Sequence, residues 1–145
     1  MSTAGYLLDT NVLSELMRPA PAESVLAWFA RQAGSAMHTS SIVQAEILTG
    51  IALLPAGQRR DALARAAQAM FADDLAGRVL PFNGACAEHY ALIVAGRTAQ
   101  GRPISTEDAQ IAATALASGM SLVTRNTRDF ARIDGLIQLD PWQPH

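Results

Sequence analysis

The sequence predicts an α/β protein: a single domain over residues 1–145 with a five-stranded parallel sheet and helices on both faces. Three observations carry this. Short apolar runs alternate with helical patterns along the chain, polar clusters follow the ends of those runs, and 145 residues at 50% hydrophobic content are enough for one sizeable core. Strands that alternate with helices pair in parallel, because each crossover helix carries the chain back to the starting end of the sheet.

Tyr6-Leu7-Leu8 reads as the first strand, stopping at Asp9-Thr10-Asn11, and Val12, Leu13 and Leu16 then carry a helix to Met17. Pro19 and Pro21 break that helix. Pro21 suits the first turn of a second helix, with Val25, Trp28 and Phe29 on one side and Gly34 at its end. Ala36 to Thr39 is the second strand, and Ser40 or Ser41 caps a helix through Val43, Ile47, Ile51 and Leu54, closed by Pro55 and Gly57. The alanine-rich segment from Arg59 to Leu75 is helical, turning Leu63, Ala67, Met70 and Phe71 inward, and Gly77 leads to a third strand at Val79 to Phe82. Ala85 to Thr98 spaces Cys86, Tyr90, Ile93 and Val94 for burial. Ser105 or Thr106 caps the next helix, Ile111, Ala112, Ala115 and Leu116 recur along it, and Gly119 occupies its C-cap. Met120 to Thr124 and Leu136 to Leu139 complete the strands.

A charged fraction of 17% and a net charge of -2 exclude a protein held on nucleic acid by bulk charge, so nucleic acid must be gripped locally. The lone Cys86 excludes an internal disulfide and fits a reducing cytoplasm. No basic region precedes an apolar core at the N-terminus, and no run approaches the ~20 apolar residues of a membrane span, so a cytoplasmic protein is expected. All eleven basic residues are arginine. The absence of lysine excludes a phospho-accepting receiver domain, a P-loop nucleotide switch and a haloacid-type phosphatase; the last also lacks its second aspartate, since Asn11 stands there.

Carboxylates gather at one edge. Asp9 follows the first strand, Asp108 falls in the first turn of a helix, and Asp129 follows the fourth strand; ligands bind at this C-terminal edge in open α/β sheets. Asp9 also suits an N-cap, and Asp108 a capping box with Ser105. On the helix through Val43, Ile47 and Ile51, Glu46 points about 60° to one side of Val43, on the margin of the core, where it needs either an arginine partner or a shared site. Two carboxylates ~4 Å apart repel by about 4 kcal/mol at an effective dielectric of 20, so a cluster calls for protons or cations. An all-oxygen set selects Mg²⁺ or Mn²⁺ over zinc, and metal-assisted phosphoryl transfer is the chemistry that uses one. His38 reads as a strand residue, and His89 and His145 fit no ligand spacing.

Leu7-Leu8-Asp9-Thr10-Asn11-Val12-Leu13-Ser14-Glu15, Val43-Gln44-Ala45-Glu46-Ile47 with Gly50, Asp108 to Ala115, and Leu122-Val123-Thr124-Arg125-Asn126 together resemble PIN-domain ribonucleases. The resemblance runs in order over nearly the whole chain. It is strongest to toxins of the VapC type and their FitB-like branch, which share Leu80-Pro81-Phe82 and the Pro141-Trp142 ending. It implies a sheet with a central first strand, a Mg²⁺- or Mn²⁺-dependent endoribonuclease acting on RNA with metal-activated water, a homodimer and a cognate antitoxin. By position, it implies an acidic site of Asp9, Glu46 and Asp108, with Thr10 and Asn11 holding the first aspartate and Thr124 lining the floor. Many relatives carry an aspartate where this chain has Asn126, so either Asn126 supplies a neutral oxygen or Asp129 supplies the fourth acid.

Two further expectations concern surfaces. Arg125, Arg128 and Arg132 beside the acidic edge either hold RNA phosphates or form a solvated cluster. Ile51, Leu53 and Leu54 cover more than one helix face, leaving apolar surface beside Glu46 for an antitoxin, unless Leu53 packs on the following helix. The alternative function is a non-catalytic protein-binding module with a vestigial acidic site; metal-dependent RNA cleavage separates the two.

Overall fold

The strands form one parallel sheet in the order β3-β2-β1-β4-β5, seen in a computed structural model that describes residues 5–143. His145 lies outside the described residues. β1 (Tyr6–Leu8) is central and pairs with β2 (Met37–Ser40) on one side and β4 (Ser121–Val123) on the other. Pairing on both sides and helices on both faces put Leu7 and Leu8 at 0% and 2% exposure; truncating either to alanine costs about 2–5 kcal/mol. β3 (Val79–Leu80) and β5 (Gln138–Leu139) are the edges. β3, β4 and β5 are each two residues shorter than the runs that mark them. Phe82 and Leu136 pack against the core from outside the strands.

Six α-helices connect the strands among the described residues: α1 (Thr10–Leu16), α2 (Glu23–Ala30), α3 (Ser41–Ala52), α4 (Gln58–Ala69), α5 (Gly84–Ala99) and α6 (Thr106–Ala117). Side-chain caps set four of their starts. Asp9 accepts from Thr10 N, Ser40 from Val43 N, Asn83 from Cys86 N and Ser105 from Asp108 N. α6 buries Ala109, Ile111, Ala112, Ala113, Thr114 and Ala115; these mostly small side chains let it lie closely between α5 and the sheet. Gly119, at φ 67°, reverses the chain after α6 into β4. Gly5 allows the close approach of β1 to the entry of β2, since a Cβ there would meet Ala36 O at 2.7 Å.

Three details differ from the sequence expectation. α2 begins at Glu23 with Ala22 as N-cap, so Pro21 precedes the helix, and α2 stops at Ala30, leaving Gly34 to open a short 3₁₀ turn at Gly34–Ala36. The helix expected to reach Leu75 ends as α4 at Ala69 and continues as a π-turn over Met70–Asp74. Leu75 N donates to Met70 O at 2.9 Å, a spacing that lets both side chains enter the core. No helix among the described residues is long and apolar enough to cross a membrane.

Candidate active site

Asp9 is built by the junction of β1 and β4. Its amide continues the ladder by donating to Val123 O at 3.0 Å, and the chain then turns into α1, presenting the carboxylate at the C-terminal edge of the sheet. Thr10 N donates to Oδ1 at 2.8 Å; Thr124 Oγ1 and Asn11 Nδ2 donate to Oδ2 at 2.7 and 3.1 Å. At 4% exposure, burial raises the Asp9 pKa above its ordinary value, opposed by these three donors and reinforced by the charge of Asp129. Thr124 also accepts from Asn126 N at 3.0 Å, and Asn11 Oδ1 accepts from Arg125 N at 3.0 Å. The polar residues after β1 and those after β4 are thereby stitched together around one carboxylate.

Glu46 reaches the same place from α3. Half-buried, it accepts from Thr10 Oγ1 through Oε1 at 2.7 Å, so Thr10 touches two acids, one by its amide and one by its hydroxyl. Glu46 has no arginine partner: the one ion pair among the described residues joins Arg18 to Glu15. Asp108 stands in the first turn of α6, its amide donating to Ser105 Oγ at 3.1 Å. Burial, and then the charge of Asp9, push its pKa from 3.8 up to about 6, with Asp129 and Glu46 adding to the rise and Ser105 opposing it.

Four carboxylates therefore share one field with no basic side chain paired to any of them. Among the described residues, no three acid, histidine or thiol side chains stand close enough to hold one metal ion between them in this arrangement. The donor set itself is hard oxygen throughout, which suits Mg²⁺ or Mn²⁺.

A groove of about 720 Å³ opens at Thr10 and Glu46 and runs between α1, α3 and α4. Met17, Ile47, Ile51, Leu54 and Leu63 give it apolar walls, and Arg18 and Arg59 stand at its sides. Leu53 stands 80% exposed rather than packed on α4.

Residues 6–136 match the family model of the PIN domain. The chain belongs to the PIN-domain family. It is 40% identical to a VapC ribonuclease, Y4jK, of Sinorhizobium fredii, over 95% of this chain and 98% of that one. It is 37% identical to the toxin FitB of Neisseria gonorrhoeae, over 94% of this chain and 97% of that one. Among solved structures, FitAcB from Neisseria gonorrhoeae superposes with a TM-score of 0.88 at 36% identity, covering 96% of this chain and 99% of that chain.

The three arginines after β4 of this PIN domain have different surroundings. All three are exposed; the Arg125 guanidinium lies over the Trp142 ring, 4.8 Å from its centroid, and Arg132 has a backbone φ of 61°. Sequence reasoning missed two buried charged residues near the site. Glu15 accepts from Ala22 N at 2.8 Å and from Arg18; the Ala22 bond chiefly lowers its pKa, with Arg18 and Arg125 contributing. Arg97 donates to three backbone carbonyls. The signal for Arg97 was present: it follows Cys86, Tyr90 and Ile93 on the inward stripe of α5, where a charged residue needs buried partners.

Proposed function

We propose that the chain is a Mg²⁺- or Mn²⁺-dependent endoribonuclease, the toxin of a toxin–antitoxin pair, forming one PIN domain over residues 1–145 and acting on RNA in the cytoplasm. The observation that carries this reading is the meeting of acids at the sheet edge: Thr10 donates by its amide to Asp9 and by its hydroxyl to Glu46, and Asp108, raised to about 6 by burial and then by the charges of Asp9, Asp129 and Glu46, lies in the same field. Structural acids are ordinarily paired with bases; these form an uncompensated negative pocket at the sheet edge where ligands bind. The names of the relatives, a VapC ribonuclease and a toxin, support the same activity.

In this reading Asp9, Glu46 and Asp108 would hold the metal. When bound, the divalent ion supplies Lewis acidity, which lowers the pKa of water and offsets charge on the phosphoryl oxygens. The chain's own residues supply the orientation. Thr10, Asn11 and Thr124 fix Asp9 in one rotamer, and Thr10 also steers Glu46. Of the two candidates for the fourth position, Asp129 rather than Asn126 supplies it, its charge felt by both Asp9 and Asp108. Arg128 and Arg132 hold RNA phosphates beside the acids, with Arg125 partly engaged by Trp142.

The partners in this reading are a second copy of the chain and a cognate antitoxin. The antitoxin docks a helix along the apolar groove beside Glu46 and inhibits by placing an arginine among the carboxylates, where a guanidinium pairs bidentately and displaces the ion. Purified protein freed from any partner, incubated with structured RNAs in Mg²⁺ or Mn²⁺, should cleave them, and the protein encoded beside it should stop the cleavage. No cleavage with either ion would overturn the enzymatic reading in favour of a binding module.

A further inference from the structure

Arg97 is 7% exposed, yet among the described residues it has no carboxylate partner. Its guanidinium is spent on main-chain oxygens. Nε donates to Arg102 O at 2.7 Å, and Nη1 donates to Asp129 O at 2.9 Å and Ala131 O at 3.2 Å. A buried arginine satisfied by three carbonyls of two separate segments is a spacer that sets how far apart those segments lie.

One segment leads into the helix that carries Asp108, and the other carries Asp129. Arg102 lies in the connection from α5 to Ser105, whose hydroxyl accepts from Asp108 N, so its position fixes where α6 begins. Asp129 is itself one of the bonded residues, in the loop after β4. The end of α5 reaches the same loop again through Gln100 Nε2, 3.4 Å from Arg132 O, and Arg102 N returns a bond to Arg97 O at 2.9 Å. None of the bonds from the Arg97 guanidinium goes to a carboxylate of the site, so it acts on the acids through the backbone it holds.

We propose that Arg97 is a positioning residue: by bridging the α5–α6 connection and the Asp129 loop, it sets the separation of Asp108 and Asp129 and hence the affinity of the site for its divalent ion. This rests on the reading of those acids as a metal site. Outer partners that orient ligands typically matter by roughly 10–100-fold in metal affinity, and an effect in that range is expected.

Full-length wild type, Arg97→Met and Arg97→Lys would be compared by amide hydrogen exchange and by Mn²⁺ titration, the latter followed by electron paramagnetic resonance of free Mn²⁺. Arg97→Met keeps an apolar stem and loses the fork; Arg97→Lys keeps the charge. Faster exchange over residues 102–106 and 127–132 with the β1 and β4 amides still protected, and weaker Mn²⁺ binding in both variants, is the expected result. A merely structural arginine would lower protection throughout and leave the Mn²⁺ affinity of the folded fraction unchanged, which would overturn the proposal. Wild-type exchange and affinity in Arg97→Lys would also overturn it. Failure of the metal reading shows elsewhere, as wild type that binds no Mn²⁺; the inference then falls with it, whatever the variants do.

Discussion

Thr124 Oγ1 donates to Asp9 Oδ2 at 2.7 Å, joining the ends of β4 and β1 through two side chains 115 positions apart. The same hydroxyl accepts from Asn126 N and lies 3.3 Å from Asn11 Nδ2, so one fully buried oxygen organises the polar turn after each strand. Thr124→Val keeps the shape and removes the oxygen. Asp9 loses a donor while staying buried, and the variant should lose about 1–3 kcal/mol of stability at neutral pH, measured by urea unfolding. Its destabilisation should shrink in acid, where Asp9 is protonated. A loss that is the same at both pH values would mean the hydroxyl does not serve the charged carboxylate.

Asp108 makes the metal-free protein less stable above neutrality. Its folded pKa of about 6 exceeds the ordinary 3.8, so between these values the folded chain binds more protons than the unfolded one and stability falls as pH rises. Asp108→Asn removes that slope. With allowance for solvent screening of a half-buried group, the variant should be more stable than wild type by about 1 kcal/mol at pH 7.5 in chelator, and equal to it near pH 3.5. Thermal unfolding across this range checks the sign; a less stable variant at pH 7.5 would show that Asp108 is held by an attractive partner.

Arg128 and Arg132 should account for salt-dependent RNA binding more than Arg125, whose guanidinium already rests on Trp142. Replacing Arg128 and Arg132 with glutamine should flatten the plot of log affinity against log salt by about 0.7 per lost phosphate contact. Filter binding of a catalytically silent Asp108→Asn background to single-stranded RNA reads this slope directly. An unchanged slope would make the pair a solvated cluster.

The fold was readable because its signals are local. Asp9, Ser40 and Ser105 each cap the helix that follows them, and apolar runs mark β1 and β4. The acids were readable for the same reason: two follow strands, one opens a helix, and Glu46 sits off the polar face of α3. What escaped depends on contacts distant in sequence or on unusual helix geometry. The π-turn at Met70–Asp74 inserts a five-residue spacing that no helical period announces. The carbonyls bonded by Arg97 lie up to 34 positions away, and nothing in the local sequence names them. The Thr10–Glu46 bond, 36 positions long, was likewise visible only once α3 was docked on α1.

The claim that the acids work as one unit is tested most directly by single-turnover RNA cleavage in Mn²⁺, comparing wild type, Glu46→Gln, Asp108→Asn and the double variant, each with and without EDTA. Each single change should cost more than about 100-fold, beyond the loss typical of an outer partner, and the double variant should be little worse than either, as expected of groups acting together. Chelator should abolish wild-type cleavage. Cleavage that survives both EDTA and Asp108→Asn would contradict the account.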